Sequence, residues 1–262
     1  MITRLQWRHV GFVPLLLAGS ATAFAVPLAP HKAIYDLSLS SQTEDLVSVE
    51  GRIAMDLTME TCGRYDLDYR FVARFGQEGE QTLTDQRTRA SEAADGASFE
   101  FETYTYVDGA EQNRIQGTAQ TRDERTQVQM ALPVERGFEL PPAYFPLGHT
   151  AALIRKAMQG ERIVQMNLFD GDDQGDKELT TTAILSPLGA SQAAGFEGLR
   201  GWRVDESYFN ADSDADGLPI FHTRYTLYEN GVTDEIYMDF GEYALEGSLS
   251  ELTLGAMPAG CR

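Results

Sequence analysis

The stretch Val47-Ser48-Val49-Glu50-Gly51-Arg52-Ile53-Ala54-Met55-Asp56-Leu57 decides the fold class. Its apolar residues fall on every second position, with Gly51 interrupting. A period of two turns one face to a core and the other to water, which describes a strand. The same alternation returns in Ala33, Tyr35, Leu37 and Leu39, and in Tyr65, Leu67, Tyr69, Phe71, Ala73 and Phe75. Further strand-like runs cover residues 98–107, 126–132, 163–169, 180–185, 202–209, 223–228, 235–240 and 243–254. Turn signals separate them: Asp95-Gly96, Asp108-Gly109, Asp170-Gly171, Asp216-Gly217 and Asn230-Gly231. Asn230-Gly231 is the clearest hairpin signal, because both residues tolerate positive φ. A row of short strands like this predicts an all-β, mainly antiparallel meander curled into a barrel or half-barrel.

One segment breaks the period. In His149-Thr150-Ala151-Ala152-Leu153-Ile154-Arg155-Lys156-Ala157-Met158-Gln159, the residues Leu153, Ile154, Ala157 and Met158 share one helical face. Arg155 and Lys156 sit where the helix dipole favours cations, and Gly160 suits a left-handed stop. Residues 140–146 carry three prolines and form a stiff lead-in. An amphipathic helix laid on a curled sheet is expected to plug one of its openings. Residues 189–201, rich in Gly, Ala and Ser, read as a loop or a short second helix.

Residues 1–25 read as a cleavable export signal. Arg4 and Arg8 precede a short apolar run from Val10 to Ala18, and Ala23-Phe24-Ala25 is a small-x-small cleavage pattern. The run is about half the ~20 apolar residues a spanning helix needs. Residues 26–262 are then expected to form one domain, with no later stretch long and apolar enough to cross a bilayer.

The chain of 262 residues is 42% hydrophobic, which excludes wholesale disorder. Its net charge is −19; without residues 1–25, 19 Lys+Arg face 40 Asp+Glu, a net −21. Such a balance argues against nucleic acid or an anionic membrane surface as the main partner. Cys62 and Cys261 are the only cysteines. In an oxidising compartment an even count reads as disulfides, and one pairing is available. It would close nearly the whole mature chain into a loop, worth up to ~5 kcal/mol by chain entropy.

Chemical motifs are sparse. Asp212, Asp214, Asp216 and Gly217 match the first half of a calcium loop, but the position for the bidentate glutamate holds Thr223 and the flanks read as strands. A solvated hairpin tip explains this run, and equally Asp170-Gly171-Asp172-Asp173-Gln174-Gly175-Asp176. His31, His149 and His222 are scattered without a zinc spacing, and His149 has a structural place at the helix start. The nucleophile elbow and the phosphate loop are both absent. The tyrosines and Trp202 lie at strand spacing and read as core. The residues therefore name no catalytic group, no metal and no cofactor. Forty carboxylates leave open a pair acting as a glycosidase.

A series of stretches resembles the EipB family of cell envelope integrity proteins. They are residues 28–37 (LAPHKAIYDL), Phe145-Pro146 with His149, Leu168-Phe169-Asp170-Gly171, Tyr208-Phe209, Leu227-Tyr228-Glu229-Asn230-Gly231-Val232, and residues 240–249 (FGEYALEGSL). The resemblance implies a meander wound into a β-spiral, an incomplete barrel similar in shape to periplasmic lipoprotein carriers. It implies a soluble periplasmic monomer of a Gram-negative bacterium, serving envelope integrity and stress resistance. Cys62 and Cys261 fall where the family's disulfide is expected, and no catalytic residues come with the family. The expected function is non-enzymatic: binding of an envelope protein or a lipid-like ligand on the concave sheet. The alternative is an envelope glycan or lipid hydrolase using a carboxylate pair.

Overall fold

The computed structural model describes residues 26–43, 46–171, 179–210 and 217–261. Among them the chain forms fourteen strands and one α-helix in a single antiparallel meander. The first eight strands are β1 (His31–Leu39), β2 (Ser48–Thr61), β3 (Arg64–Gln77), β4 (Glu80–Ala93), β5 (Ser98–Val107), β6 (Ala110–Arg122), β7 (Arg125–Leu132) and β8 (Arg136–Leu140). Helix α1 (Pro146–Met158) follows. The last six are β9 (Ile163–Leu168), β10 (Leu179–Ala190), β11 (Arg200–Phe209), β12 (Phe221–Tyr228), β13 (Thr233–Asp239) and β14 (Ala244–Leu254). The spatial order runs from β8 back to β1, then β14 back to β9. β1 and β14 pair at the centre, so the two ends of the chain meet in mid-sheet.

The sheet is curled but open, one of the two shapes that the alternation allowed and the incomplete barrel that the family resemblance implied. Its free edges are β8 and β9. They approach through the proline-rich lead-in, where the Tyr144 N–H donates to Asn167 O (2.9 Å) and the Phe169 N–H donates to Tyr144 O (2.9 Å). This isolated bridge covers part of an edge that would otherwise invite another strand.

Helix α1 lies inside the curl. Its buried Ala152, Leu153 and Ile154 pack in one cluster with Leu57, Met59 and Tyr65 on one side and Val164, Ala183, Leu185, Trp202, Val204 and Leu227 on the other. One helix touching β2, β3 and β9–β12 requires the sheet to wrap it. The helix begins three residues before the sequence reading, with Pro146 in its first turn, and Gly160 takes φ +86 beyond its end. A second cluster joins Phe99, Phe101, Phe145 and Phe169, with the Phe99 and Phe145 rings stacked 5.2 Å apart.

Three strands, β4, β6 and β8, were not legible from alternation. On β4 the inward residues Thr82, Thr84, Gln86, Thr88 and Ala90 face Tyr69, Phe71 and Phe75 of β3 or their neighbours, so both faces look polar in sequence. Long ladders with β3 and β5 hold the strand instead. The 189–201 segment contains no helix. β10 extends to Ala190, and the connection after it buries Phe196 flat on Tyr228, with ring centroids 4.0 Å apart. The Asn230-Gly231 hairpin joins β12 to β13, but only Gly231 takes positive φ, at +90. Asn230 Oδ1 instead accepts the Val232 N–H at 3.1 Å.

Candidate functional site

The strand registers divide the interior into two ends. Along β12, Leu227 belongs to the helix cluster and Phe221 lies six residues away, roughly 20 Å at the strand rise. The helix end is closed. Cys62, between β2 and β3, is bonded to Cys261 in the C-terminal tail, with Cα atoms 5.3 Å apart and a sequence separation of 199. Beside the disulfide, Met257, Leu28, Leu147 and Glu92 line a pocket of about 210 Å³.

Glu92 of β4 closes this end chemically. It is 2% exposed, and its carboxylate accepts the Leu147 N–H (2.9 Å) and the Gly148 N–H (2.6 Å) at the start of α1. The helix has no side-chain cap of its own and no acid in its first turn, so a distant strand supplies the acceptor. Gly148 leaves room for it: a Cβ there would sit 3.0 Å from Glu92 Oε1. Burial lifts the Glu92 carboxyl to about 7, against the lowering effect of the two N–H donors.

At the other end, inward side chains stay half-exposed, among them Phe71, Phe75, Thr84, Gln86, Thr88, Thr103 and Thr105. Five aromatic rings run across this end in unbroken contact. Phe75 meets Tyr243 (5.8 Å between centroids), Tyr243 meets Phe240 (5.0 Å), Phe240 meets Phe221 (4.9 Å) and Phe221 meets Tyr208 (5.4 Å). They come from β3, the β13–β14 turn, β12 and β11. Phe240 is 39% exposed, and Ile220 (48%) and Leu218 (65%) precede Phe221 as equally open apolar side chains. These form an apolar lip.

Behind Tyr208 lies a buried polar cluster. Glu206 is fully buried. Its Oε2 accepts the hydroxyls of Tyr208 (3.1 Å) and Tyr225 (3.0 Å). Its Oε1 stands 3.1 Å from His149 Nε2, without an aligned hydrogen bond. His149 Nε2 is also 3.0 Å from Thr181 Oγ1. Burial alone would raise the Glu206 carboxyl, but His149, Tyr225 and Thr181 outweigh it and hold the group below its ordinary value. Burial and the neighbouring Glu206 push the Tyr208 and Tyr225 hydroxyls well above theirs. The cluster ties α1 to β10, β11 and β12.

The face of the sheet turned away from α1 carries two adjoining grooves. One, of about 880 Å³, is lined by Asp56, Asp66, Asp68, Glu100 and Glu102 around Arg89. The other, of about 680 Å³, holds Arg70 and Arg87 beside Tyr104 and Tyr106. Most of these charges are paired: Arg70 and Arg87 share Asp85, Arg89 meets Asp68, and Lys32 meets Asp56.

Of the residues singled out in sequence, Asp212, Asp214 and Asp216 lie outside the described residues. Trp202 is core, 5% exposed. His31 Nδ1 lies 2.7 Å from Ala29 O and His222 Nε2 lies 2.8 Å from Asp205, so the three histidines stay apart from one another. Sequence reasoning missed Glu92, Glu206 and the ladder. Glu206 left a trace, as the one acid in the inward series Trp202, Val204, Glu206, Tyr208. Glu92 left none, on a strand with no visible alternation.

The EipB-like family model matches residues 22–255. The cell envelope integrity protein EipB of Brucella abortus is 34% identical, over 93% of this chain and 92% of its own length. A solved structure from Brucella abortus, described as a β-barrel-like protein with a domain of unknown function, superposes with a TM-score of 0.82. It is 32% identical and covers 88% of this chain and all of its own. The meander, the family model and the length of the match together make this chain a member of the EipB-like family.

Proposed function

We propose that this protein serves cell envelope integrity from the periplasm, as a non-catalytic binder of an amphiphile at the open end of its interior. The name of the Brucella abortus relative supports the envelope role. The export-signal pattern of residues 1–25 and the Cys62–Cys261 disulfide support an oxidising compartment outside the cytoplasm. One observation carries the binding reading: the ladder Phe75–Tyr243–Phe240–Phe221–Tyr208, which ends in exposed apolar side chains. Aromatic-lined concave faces with a few converging polar groups are where small ligands bind. The two buried carboxylates favour this over hydrolysis. Glu92 is engaged by two helix N–H groups and Glu206 by two tyrosines and a histidine, so both hold structure.

Native mass spectrometry of the protein purified from its own cells tests the reading, paired with complementation by a Phe221→Ser/Phe240→Ser variant. A bound amphiphile that the variant loses, together with a failing envelope, is the expected result. An empty wild-type protein and a fully complementing variant would remove the proposal.

A further inference from the structure

We propose that the amphiphile at the open end carries a neutral or cationic polar group, and that carboxylate- or phosphate-bearing amphiphiles are rejected. This rests on the binding reading above and adds the ligand's charge to it.

The inference comes from a charge census of the inward positions. Following the register from the helix-facing residues, β1–β7, β9, β10 and β12–β14 turn no lysine or arginine inward, and on β11 the one in phase with Trp202 is Arg200, at the strand's start far from the ladder and paired with Glu229 (2.7 Å). The other is Arg136 of the edge strand β8, which lies over the Phe138 ring at 5.5 Å, beside the second core cluster and not the ladder. Arg74, Arg203 and Arg224, on strands that contribute to the ladder, alternate to the opposite face. There Arg203 pairs with Glu235 (2.7 Å) and Arg224 lies over Tyr237 (4.4 Å). His149 is the basic side chain that α1 directs at this cluster, and it is already within reach of Glu206 and Thr181.

Negative groups, by contrast, border the ladder at both ends. Glu206 lies directly behind Tyr208, and Asp170 is near enough to bear on the same hydroxyl. Glu242 bears on Tyr243 at the other end. Both oxygens of Glu206 are already engaged, Oε2 by the two tyrosine hydroxyls and Oε1 by His149 Nε2 at 3.1 Å, so this end of the ladder presents acceptors and negative charge to a head group. A carboxylate only accepts, so a hydroxyl or an ammonium suits such surroundings and an anion does not. An anionic head would lose water here, find no unpaired cation among the described residues, and face like charge at short range.

Three probes with the same twelve-carbon chain separate the outcomes: dodecylammonium, 1-dodecanol and dodecanoate. Each is titrated below its micellar range into the full mature protein at pH 8, by competition with a fluorescent apolar dye. The ammonium and the alcohol are expected to bind at least tenfold more tightly than dodecanoate. Added salt should narrow the gap between the two ions and leave dodecanol unchanged, because screening acts only on charge. Glu242→Gln, an exposed change that leaves the fold alone, should narrow the same gap. Dodecanoate binding as tightly as the other two would overturn this inference while leaving the amphiphile reading in place. Failure of all three to compete with the dye would overturn both.

Discussion

The two ends of the interior are built from the same strands and solve opposite problems. At the helix end, apolar residues from β2, β3 and β9–β12 close on α1, and Leu153 and Ile154 are fully buried. Polar groups there are used up internally: Glu92 caps the helix and the tail is stapled over it. At the ladder end the same strands carry aromatics whose rings touch one another but not a plug, and Phe240, Ile220 and Leu218 face solvent. Filling a curl with a helix yields stability. At the other end Phe75 and Tyr243 pack on Leu46, Val49, Ala73 and Leu245, and the aromatic row continues beyond that cluster to the open Phe240. The helix-filled core and the proposed recognition surface therefore lie at opposite ends of the sheet.

That division is best broken with substitutions at matched burial. Leu153→Ala should cost about 3 kcal/mol or more, since it empties a fully buried site between helix and sheet. Thermal unfolding should fall by roughly 10 °C at this chain length. A shift under about 2 °C would show that the helix end does not carry the fold. Cys62→Ser and Cys261→Ser should each lower stability by a comparable amount, roughly 2–5 kcal/mol, with no added loss from reductant. Apolar dye binding at the ladder should survive. Simultaneous loss of both properties would mean the ends are coupled.

Glu92 sharpens the comparison through pH. Its carboxyl is raised to about 7 in the fold, against an ordinary 4.5, so between those values the folded state holds the extra proton. The contribution is present in full below pH 4.5 and is lost as pH rises through 7. Relative to Glu92→Gln, the wild type should gain up to about 3 kcal/mol as pH falls from 7 to 4.5, the equivalent of the shift. Paired denaturation curves at several pH values check this, and a flat difference would refute a buried, proton-linked cap. At the ladder end, Phe240→Ser should cost under ~1 kcal/mol because the side chain is already open, yet weaken dye binding severalfold. The smallest effect belongs to the outer grooves. Arg70 first, and Arg87 with it, hold the Asp85 carboxyl down to about 2, but the arginines are half-exposed and screened. Asp85→Asn should shift stability by less than ~1 kcal/mol at neutral pH.

How far the sequence could be read depended on which face of each strand was informative. β1, β2 and β3 show apolar side chains at every second position, and their strands form with the expected phase. β4 and β6 were invisible, because most of their inward positions are Thr, Gln, Asn, Gly or Ala, with Ile115 the one large aliphatic, and such residues serve a half-wet interior as well as a surface. The helix was readable from Leu153, Ile154, Ala157 and Met158, but its cap was not. Phe145 precedes it without a capping side chain, and the acceptor arrives from Glu92, more than fifty residues upstream. The family resemblance, carried by short stretches across the mature chain, was also legible and agrees with the family model and the Brucella abortus relative.

The sequence by itself determined the strand period, the single amphipathic helix, the acidic balance and the export pattern, because each of these is local: alternation, helical spacing and composition need no partner. Only the tertiary structure decided which residues meet. Tyr208, Phe221, Phe240 and Tyr243 are aligned by the registers of β11–β14, and Phe75 of β3 joins them because β1 pairs with β14 and brings the two halves of the chain together. Glu206 becomes buried because α1 lies across β11. Proximity between distant segments is set by register and curl, and neither is written in any short stretch of residues.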